Sequence, residues 1–385
     1  MTPIPYGRQD IQPEDIQAVI EALQSDFLTG GPAVAEFERA FAEWVGAPYA
    51  VAVANGTAAL HLSALALGSW PGGKVITTPN TFIASANCVR YCGGEVDLVD
   101  ISPRTWLMDP DALEAKLASA APGTYQGIIP VDFAGAPADW PRLRALAERH
   151  GCWLLEDACH APGGYFQTPG GQRGTCGSGA WADAAIFSFH PVKHITTGEG
   201  GMITTAREDL WRRLQELRNH GITRDPARLP AEEGGWYYEA QALGFNYRLS
   251  DLQAALGRSQ LRRAGAGLEM RRRLAARYQE ALRDLPLRLP YAPEGHAWHL
   301  YVVHAPQRRA LYDHLHRHQV RVQIHYIPVH YHPVYQALGW KRGDFPHAEA
   351  YYEGCLSLPL YPGLSEAGQE RVIGLIRQFY GAPPM

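Results

Sequence analysis

Across residues 49–205, short apolar runs alternate with longer amphipathic segments, and this alternation restricts the possible folds more than any other feature of the chain. YAVAVA, KVITT, EVDLVD, GIIPVDF, CWLLED, AAIFSF and GMITT read as strands. Between them, residues 57–67, 81–92, 110–117 and 140–150 have the length and apolar spacing of helices. Repeated strand, helix, strand units of this kind build an α/β sheet with crossover helices. Ahead of the sheet, Val34, Phe37, Phe41, Trp44 and Val45 form a helical stripe that predicts core packing rather than a binding face.

Beyond the sheet, 207–219 and 252–261 read as helices, and from Glu269 the segment MRRRLAARYQEALRDL reads as a long helix joining two parts of the chain. The remainder, with apolar runs at 299–303 and 320–327, predicts a compact α+β unit ending in a helix at 369–379. A chain of 385 residues exceeds one typical domain. The expected division is a large domain over 1–265, including the N-terminal segment, and a smaller C-terminal domain over 266–385.

The formal net charge of -4 carries no electrostatic footprint for nucleic acid. No apolar run approaches the roughly 18 residues of a membrane span, and MTPIPYGRQDIQPED lacks a basic region followed by an apolar stretch. The expectation is a cytoplasmic protein with neither nucleic acid nor membrane as partner. Six cysteines without CxxC spacing predict reduced thiols. His325, His330 and His332 lie close together but lack an HExxH-type pattern, so no metal site is expected.

Three segments put reactive residues at strand ends. ANGTAALHL runs from a strand through Asn-Gly-Thr into a helix, whose free N–H groups and positive dipole end suit a phosphate; a plain N-cap by Thr57 is the competing reading. WLLEDACHA ends an apolar strand in two carboxylates. Asp157 there can keep a basic ring nitrogen protonated, or else cap a helix or join a structural ion pair. IFSFHPVKHITTGEGG holds Lys193 in a loop between two strands, where a desolvated amine can attack a carbonyl, with Ser188 five residues earlier as a hydroxyl for phosphate; an ordinary surface loop is the alternative. GxGxxG and GxxxxGK[ST] are both missing, which argues against dinucleotide and P-loop chemistry.

In order, PYGRQDI, SDFLTGGPAVAEFE, ANGTAALHL, TTPNTFIASAN, LLEDACHA, FSFHPVKHITTGEGG and GFNYRLSDLQAALG resemble the DegT-type sugar aminotransferases over essentially the whole chain. The resemblance implies an aspartate aminotransferase-like α/β fold (PLP fold type I), with a mostly parallel seven-stranded sheet in the large domain, and pyridoxal 5'-phosphate (PLP) as cofactor. It further implies that Lys193 carries PLP as a Schiff base, that Asp157 pairs with the pyridine nitrogen, that Phe82 stacks on the ring and that His160 lies near the ring hydroxyl. Gly56, Thr57, Ala58 and Ser188 are the implied phosphate contacts. Asn246 of GFNYRLS is implied to reach the phosphate of the neighbouring subunit's cofactor, and with it a homodimer with shared active sites. One departure is ANGTAAL in place of the Asn-Ser-Ala-Thr-Ser pattern of some members, which leaves the backbone part of phosphate binding intact.

QIHYIPVHYHPVY and LSLPLYPGLS make the chain similar to the group within this family that aminates a UDP-4-keto-6-deoxy-N-acetylhexosamine for pseudaminic acid synthesis. A UDP-ketosugar and L-glutamate are then the implied substrates. Tyr6, the turn of Asp26, Phe27, Leu28 and Thr29, and the segment of Gln323, Ile324, His325 and Tyr326 are the implied sugar-nucleotide contacts. Amination of another NDP-ketosugar, or a non-catalytic sugar-nucleotide-binding regulator on the same fold, stays open, because the motifs around PLP do not separate these.

Overall fold

The computed structural model describes residues 2–230 and 234–383. All seven apolar runs become strands of one sheet: β1 Tyr49–Val53, β2 Lys74–Thr77, β3 Glu95–Leu98, β4 Tyr125–Ile128, β5 Trp153–Asp157, β6 Ala184–Ser188 and β7 Gly201–Thr205. Their spatial order is β1-β7-β6-β5-β4-β2-β3. Only β7 runs against its neighbours. It follows β6 through the twelve-residue loop that carries Lys193, and with no crossover helix in that loop the chain returns antiparallel.

Helices cover both faces of the sheet. Helix α1 (Pro13–Gln24) precedes α2 (Pro32–Val45), which buries Phe37, Phe41 and Val45. The Phe41 ring stands edge-on to Phe187 and Phe189, with centroids 4.9 and 5.4 Å away. On the opposite face, α3 (Gly56–Leu67) is buried along most of its length, as its Ala- and Leu-rich sequence requires. It begins at Gly56. The N-cap is Asn55, whose side chain accepts the Ala58 N–H at 2.8 Å, rather than Thr57.

The long helix Ala264–Ala281 starts ahead of Glu269, because Ala264 and Leu268 already pack inward although AGAG carries no apolar stripe. Its Leu274, Ala275 and Tyr278 join a second apolar cluster with the antiparallel strands Tyr301–His304 and Cys355–Leu358 and the helix Glu366–Phe379. Ile4 belongs to this cluster as well, tied to Val320 by a parallel bridge. The apolar run at 320–327 is not a strand. It is held by that bridge and by a single antiparallel bridge from Gln323 to Ser357.

Along β5 the side chains alternate between faces, so the adjacent carboxylates of Glu156 and Asp157 part company. Glu156 points into the core, where polar atoms of Asp132, Glu156 and Cys176 lie within 4.8 Å of one another. Asp132 Oδ1 accepts the Ala138 N–H at 2.8 Å and the Trp140 Nε1–H at 3.0 Å, and Glu156 accepts the Gly177 N–H at 2.8 Å. Among the described residues, Asp132 faces the Glu156 carboxyl and the Cys176 thiol, and a proton held between the two carboxyl groups satisfies both in a site this buried. Burial pushes Asp132 up to about 6, and burial together with the Asp132 charge pushes Glu156 well above the usual carboxylate range.

Carboxyl groups whose folded pKa is raised stabilise the fold fully below their unfolded value of about 4, and that contribution is lost as pH rises through the folded values. Glu156→Gln keeps an acceptor for Gly177 and supplies a permanent N–H for Asp132. The melting temperature of the variant relative to the parent should therefore climb as pH is raised from about 5 to about 8. A difference that stays constant across this range rules out the shared proton.

Candidate active site

At the carboxyl ends of the central strands lies a cavity of about 510 Å³. Tyr6, Gly56, Thr57, Phe82, Asp157, His160, Ser188, Lys193, His325 and Tyr326 all line it. They come from segments spread over more than 300 residues of sequence, gathered because parallel strands deliver the loops that follow them to one edge. Ala58 stands one residue behind the lining, with its N–H held by Asn55. Gln323 and Ile324 are outside the lining: Gln323 exchanges backbone bonds with Ser357, and Ile324 packs between the two apolar clusters. Asp26, Phe27, Leu28, Thr29 and Asn246 are all exposed and do not line the cavity within one chain.

The loop between β6 and β7 is closed by its own backbone. Phe189 N–H donates to Gly200 O at 2.8 Å, Thr197 N–H to Phe189 O at 3.0 Å, and Lys193 N–H to His190 O at 2.9 Å. Lys193 is thereby presented from a fixed frame. Burial lowers its ammonium pKa, opposed by the nearby Cys159 and Asp157 and reinforced by the Arg271 guanidinium. A greater share of neutral amine is what a nucleophilic lysine needs.

Asp157 is buried at the cavity floor. Its Oδ2 accepts the Ser85 hydroxyl at 2.7 Å, and Oδ1 accepts the Cys159 N–H at 3.2 Å; Thr81 Oγ1 lies 2.8 Å from Ser85. Among the described residues Asp157 has no ion-pair partner. A buried carboxylate with only neutral donors favours a cation brought by a ligand.

Nearby, the start of α3 approaches Ser188 closely. A Cβ on Gly56 would lie 3.0 Å from Ser188 Cβ and 3.3 Å from its Oγ. Since Asn55 occupies only the Ala58 N–H, the Gly56 and Thr57 N–H groups, which a helix cannot satisfy internally, remain for an anion together with the Ser188 hydroxyl.

Burial drives His160, His194 and His299 well below the ordinary histidine pKa and His325 to about 3, so the imidazoles around Lys193 are neutral. His325 is fixed by a 2.8 Å contact with Ser357 Oγ and by the Tyr351 hydroxyl, which donates to its carbonyl at 2.5 Å. The Tyr6 ring lies 5.3 Å from that of His325. Sequence reasoning did not single out Ser85, Thr81, Cys159 or His299. Ser85 lies within the motif TTPNTFIASAN, but its bond to Asp157 spans 72 residues and leaves no local pattern.

Gly56→Ala, whose methyl presses on Ser188, should weaken binding of PLP roughly tenfold, about 1.4 kcal/mol, and also lower the melting temperature of the ligand-free protein. Equilibrium titration of the variant measures this; unaltered affinity would place the phosphate away from the start of α3.

Comparison with known proteins agrees with this geometry. Residues 9–377 match the DegT/DnrJ/EryC1/StrS aminotransferase family. The chain is 40% identical to the spore coat polysaccharide biosynthesis protein SpsC of Bacillus subtilis, over 97% of this chain and 96% of that protein. Helicobacter pylori PseC, described as an aminotransferase involved in pseudaminic acid biosynthesis, superposes with a TM-score of 0.89 at 27% identity, covering 99% of this chain and 100% of that one. Spr1654 of Streptococcus pneumoniae superposes in its PLP form with a TM-score of 0.88 at 27% identity, covering 98% of each chain, and in its PMP form with 0.90 at 28%. Among the described residues, no helix is long and apolar enough to cross a membrane. The fold, the cavity and these matches together establish that the chain belongs to the DegT/DnrJ/EryC1/StrS family of PLP-dependent sugar aminotransferases.

Proposed function

We propose that the protein transfers the amino group of L-glutamate to the 4-keto carbon of UDP-2-acetamido-2,6-dideoxy-β-L-arabino-hexos-4-ulose, a UDP-linked 4-keto-6-deoxy-N-acetylhexosamine, in a pseudaminic acid-type route. The supporting observation is the full-length similarity to PseC in a chain whose cavity joins a desolvated Lys193 to a buried Asp157. A different NDP-ketosugar is the second reading, favoured by the higher identity to SpsC. A coupled assay with glutamate and a panel of UDP- and dTDP-ketosugars, reading the aminosugar formed, decides between them. Turnover of a dTDP-ketosugar in preference to the UDP-hexosulose would overturn the first.

The residues present fit PLP. In this reading the Gly56 and Thr57 N–H groups and the Ser188 hydroxyl take the phosphate, Phe82 lies against the ring face and Asp157 meets the ring nitrogen. Bound there, the cofactor supplies an electron-withdrawing ring that takes up negative charge from the reacting carbon. Asp157 maintains that property by holding a proton on the ring nitrogen, through a carboxylate whose direction Ser85 and Cys159 fix. Lys193 joins the cofactor through Nζ and, once displaced by the amino substrate, carries a proton between the reacting carbons. Asn246, exposed and away from its own cavity, serves the phosphate of a second subunit in a homodimer.

Two measurements test these roles. Asp157→Asn should slow single-turnover amine transfer from glutamate and to the ketosugar by at least about a hundredfold while the protein stays folded; parental rates would make Asp157 structural. Mixing Lys193→Ala with Asn246→Ala protomers, each poorly active alone, should restore activity, since one site of each mixed dimer then carries neither change. Mixed dimers no more active than the sum of the two parents would confine Asn246 to its own subunit or remove it from the site.

A further inference from the structure

His160 lies between two partners that determine where its proton sits. The Ala134 N–H donates to Nδ1 at 3.2 Å, and Nε2 is 3.1 Å from the Tyr326 hydroxyl. A ring nitrogen that accepts an N–H bond carries no proton, so the neutral ring keeps its hydrogen on Nε2. Burial, with the nearby Lys193 charge, holds the ring neutral. Nε2–H then donates to Tyr326 Oη, and the phenol's own hydrogen must turn elsewhere. Among the described residues Tyr326 Oη has no second hydrogen-bond partner, and Tyr326 lines the cavity beside Asp157 and Lys193.

The donor at Ala134 is built into the backbone. Ala134 has φ 60° and ψ -4°, in the left-handed region, and Gly135 follows at φ 102°. Side chains rarely adopt this conformation unless the surroundings impose it. Here the Leu300 N–H donates to Ala134 O at 3.1 Å and the Ala297 N–H to Gly135 O at 2.7 Å, while a Cβ on Gly135 would lie 2.8 Å from His160 O. The buried Asp132, bonded to Ala138 and Trp140, anchors the turn from its other side. The His299 ring, 4.3 Å from that of His160, limits rotation of the imidazole.

We propose that the Ala134–His160 contact makes Tyr326 an obligate hydrogen-bond donor to an oxygen of the cavity's ligand, with His160 as the positioning residue. The acceptor is an oxygen lone pair, either the ring oxygen of PLP or an oxygen of the ketosugar. That choice of ligands rests on the function proposed above; the tautomer of His160 does not.

The tautomer is read first, in protein labelled with 15N-histidine and free of PLP, with His160→Gln identifying the resonance. His160 should remain the neutral Nε2–H form from about pH 5 to about pH 8, across the range where an unperturbed imidazole titrates. An Nδ1–H form, or titration in that range, overturns the proposal whether or not PLP chemistry is as proposed. Tyr326→Phe in the PLP-loaded enzyme then identifies the acceptor. A moved pH midpoint of the bound cofactor's visible absorbance assigns the ring oxygen. A rise of about tenfold in KM, or an equal fall in kcat, for the ketosugar with the midpoint unmoved assigns the sugar. A Tyr326→Phe variant that shows neither a moved midpoint nor altered ketosugar kinetics overturns the donor role. His160→Leu should reproduce the Tyr326→Phe effect, whereas His160→Gln, whose carbonyl and amide can accept from Ala134 and donate to Tyr326, should recover most of it. Equal behaviour of the two His160 variants removes the positioning role.

Discussion

The two-residue period of β5 separates Glu156 from Asp157, and the site depends on that separation. Side chains on a strand alternate between faces, so one carboxyl enters the core while its neighbour enters the cavity. Glu156 faces Asp132, and the pair steadies the turn at 132–138 through bonds to Ala138 and Trp140. Asp157 faces the cavity, its backbone fixed by exchange with Pro130 and Asp132. A one-residue slip of β5 would reverse the two, placing the wrong carboxyl against the ligand. Core and site are therefore specified by the same register.

The cavity is electrostatically sparse for one with so many titratable groups. His160, His299 and His325 are held neutral by burial, and the carboxylate and ammonium side chains of the lining are Lys193, Asp157 and Glu199. Few competing charges mean that each acts on its ligand at low effective dielectric. The neutral imidazoles then serve as hydrogen-bonding parts with set donors and acceptors, as in the chain from Ala134 through His160 to Tyr326. The start of α3 likewise offers an anion backbone N–H groups, which carry no titrating charge.

What the sequence made legible follows from which interactions are local. The seven strands stood out because each is a short apolar run bounded by turns, and the helix at 140–150 is written in adjacent residues. That Lys193, Asp157 and Ser188 meet at one cavity was legible because all three stand at, or just beyond, strand ends on the same edge of the sheet. Asn55 as the cap of α3 was missed, since Asn-Gly-Thr offers two side chains and only backbone geometry chooses between them. The links from Ser85 to Asp157 and from His160 to Tyr326 span 72 and 166 residues, and no spacing rule reaches so far. Gln323 and Ile324, unlike His325 and Tyr326 beside them, turn away from the cavity because the bridge to Ser357 sets their direction.

Lys193 is one of only four lysines in the chain. Lys74 is paired with Glu95 at 3.1 Å and Lys116 with Asp97 at 2.8 Å, while Lys341 lies exposed on a surface turn. Borohydride reduction of the PLP-loaded protein, followed by mass mapping of its peptides, tests the central claim most directly. The pyridoxyl group should be found on Lys193 at close to one per chain. Recovery of the label on Lys74, Lys116 or Lys341 in its place, or undiminished labelling of Lys193→Ala, would contradict it.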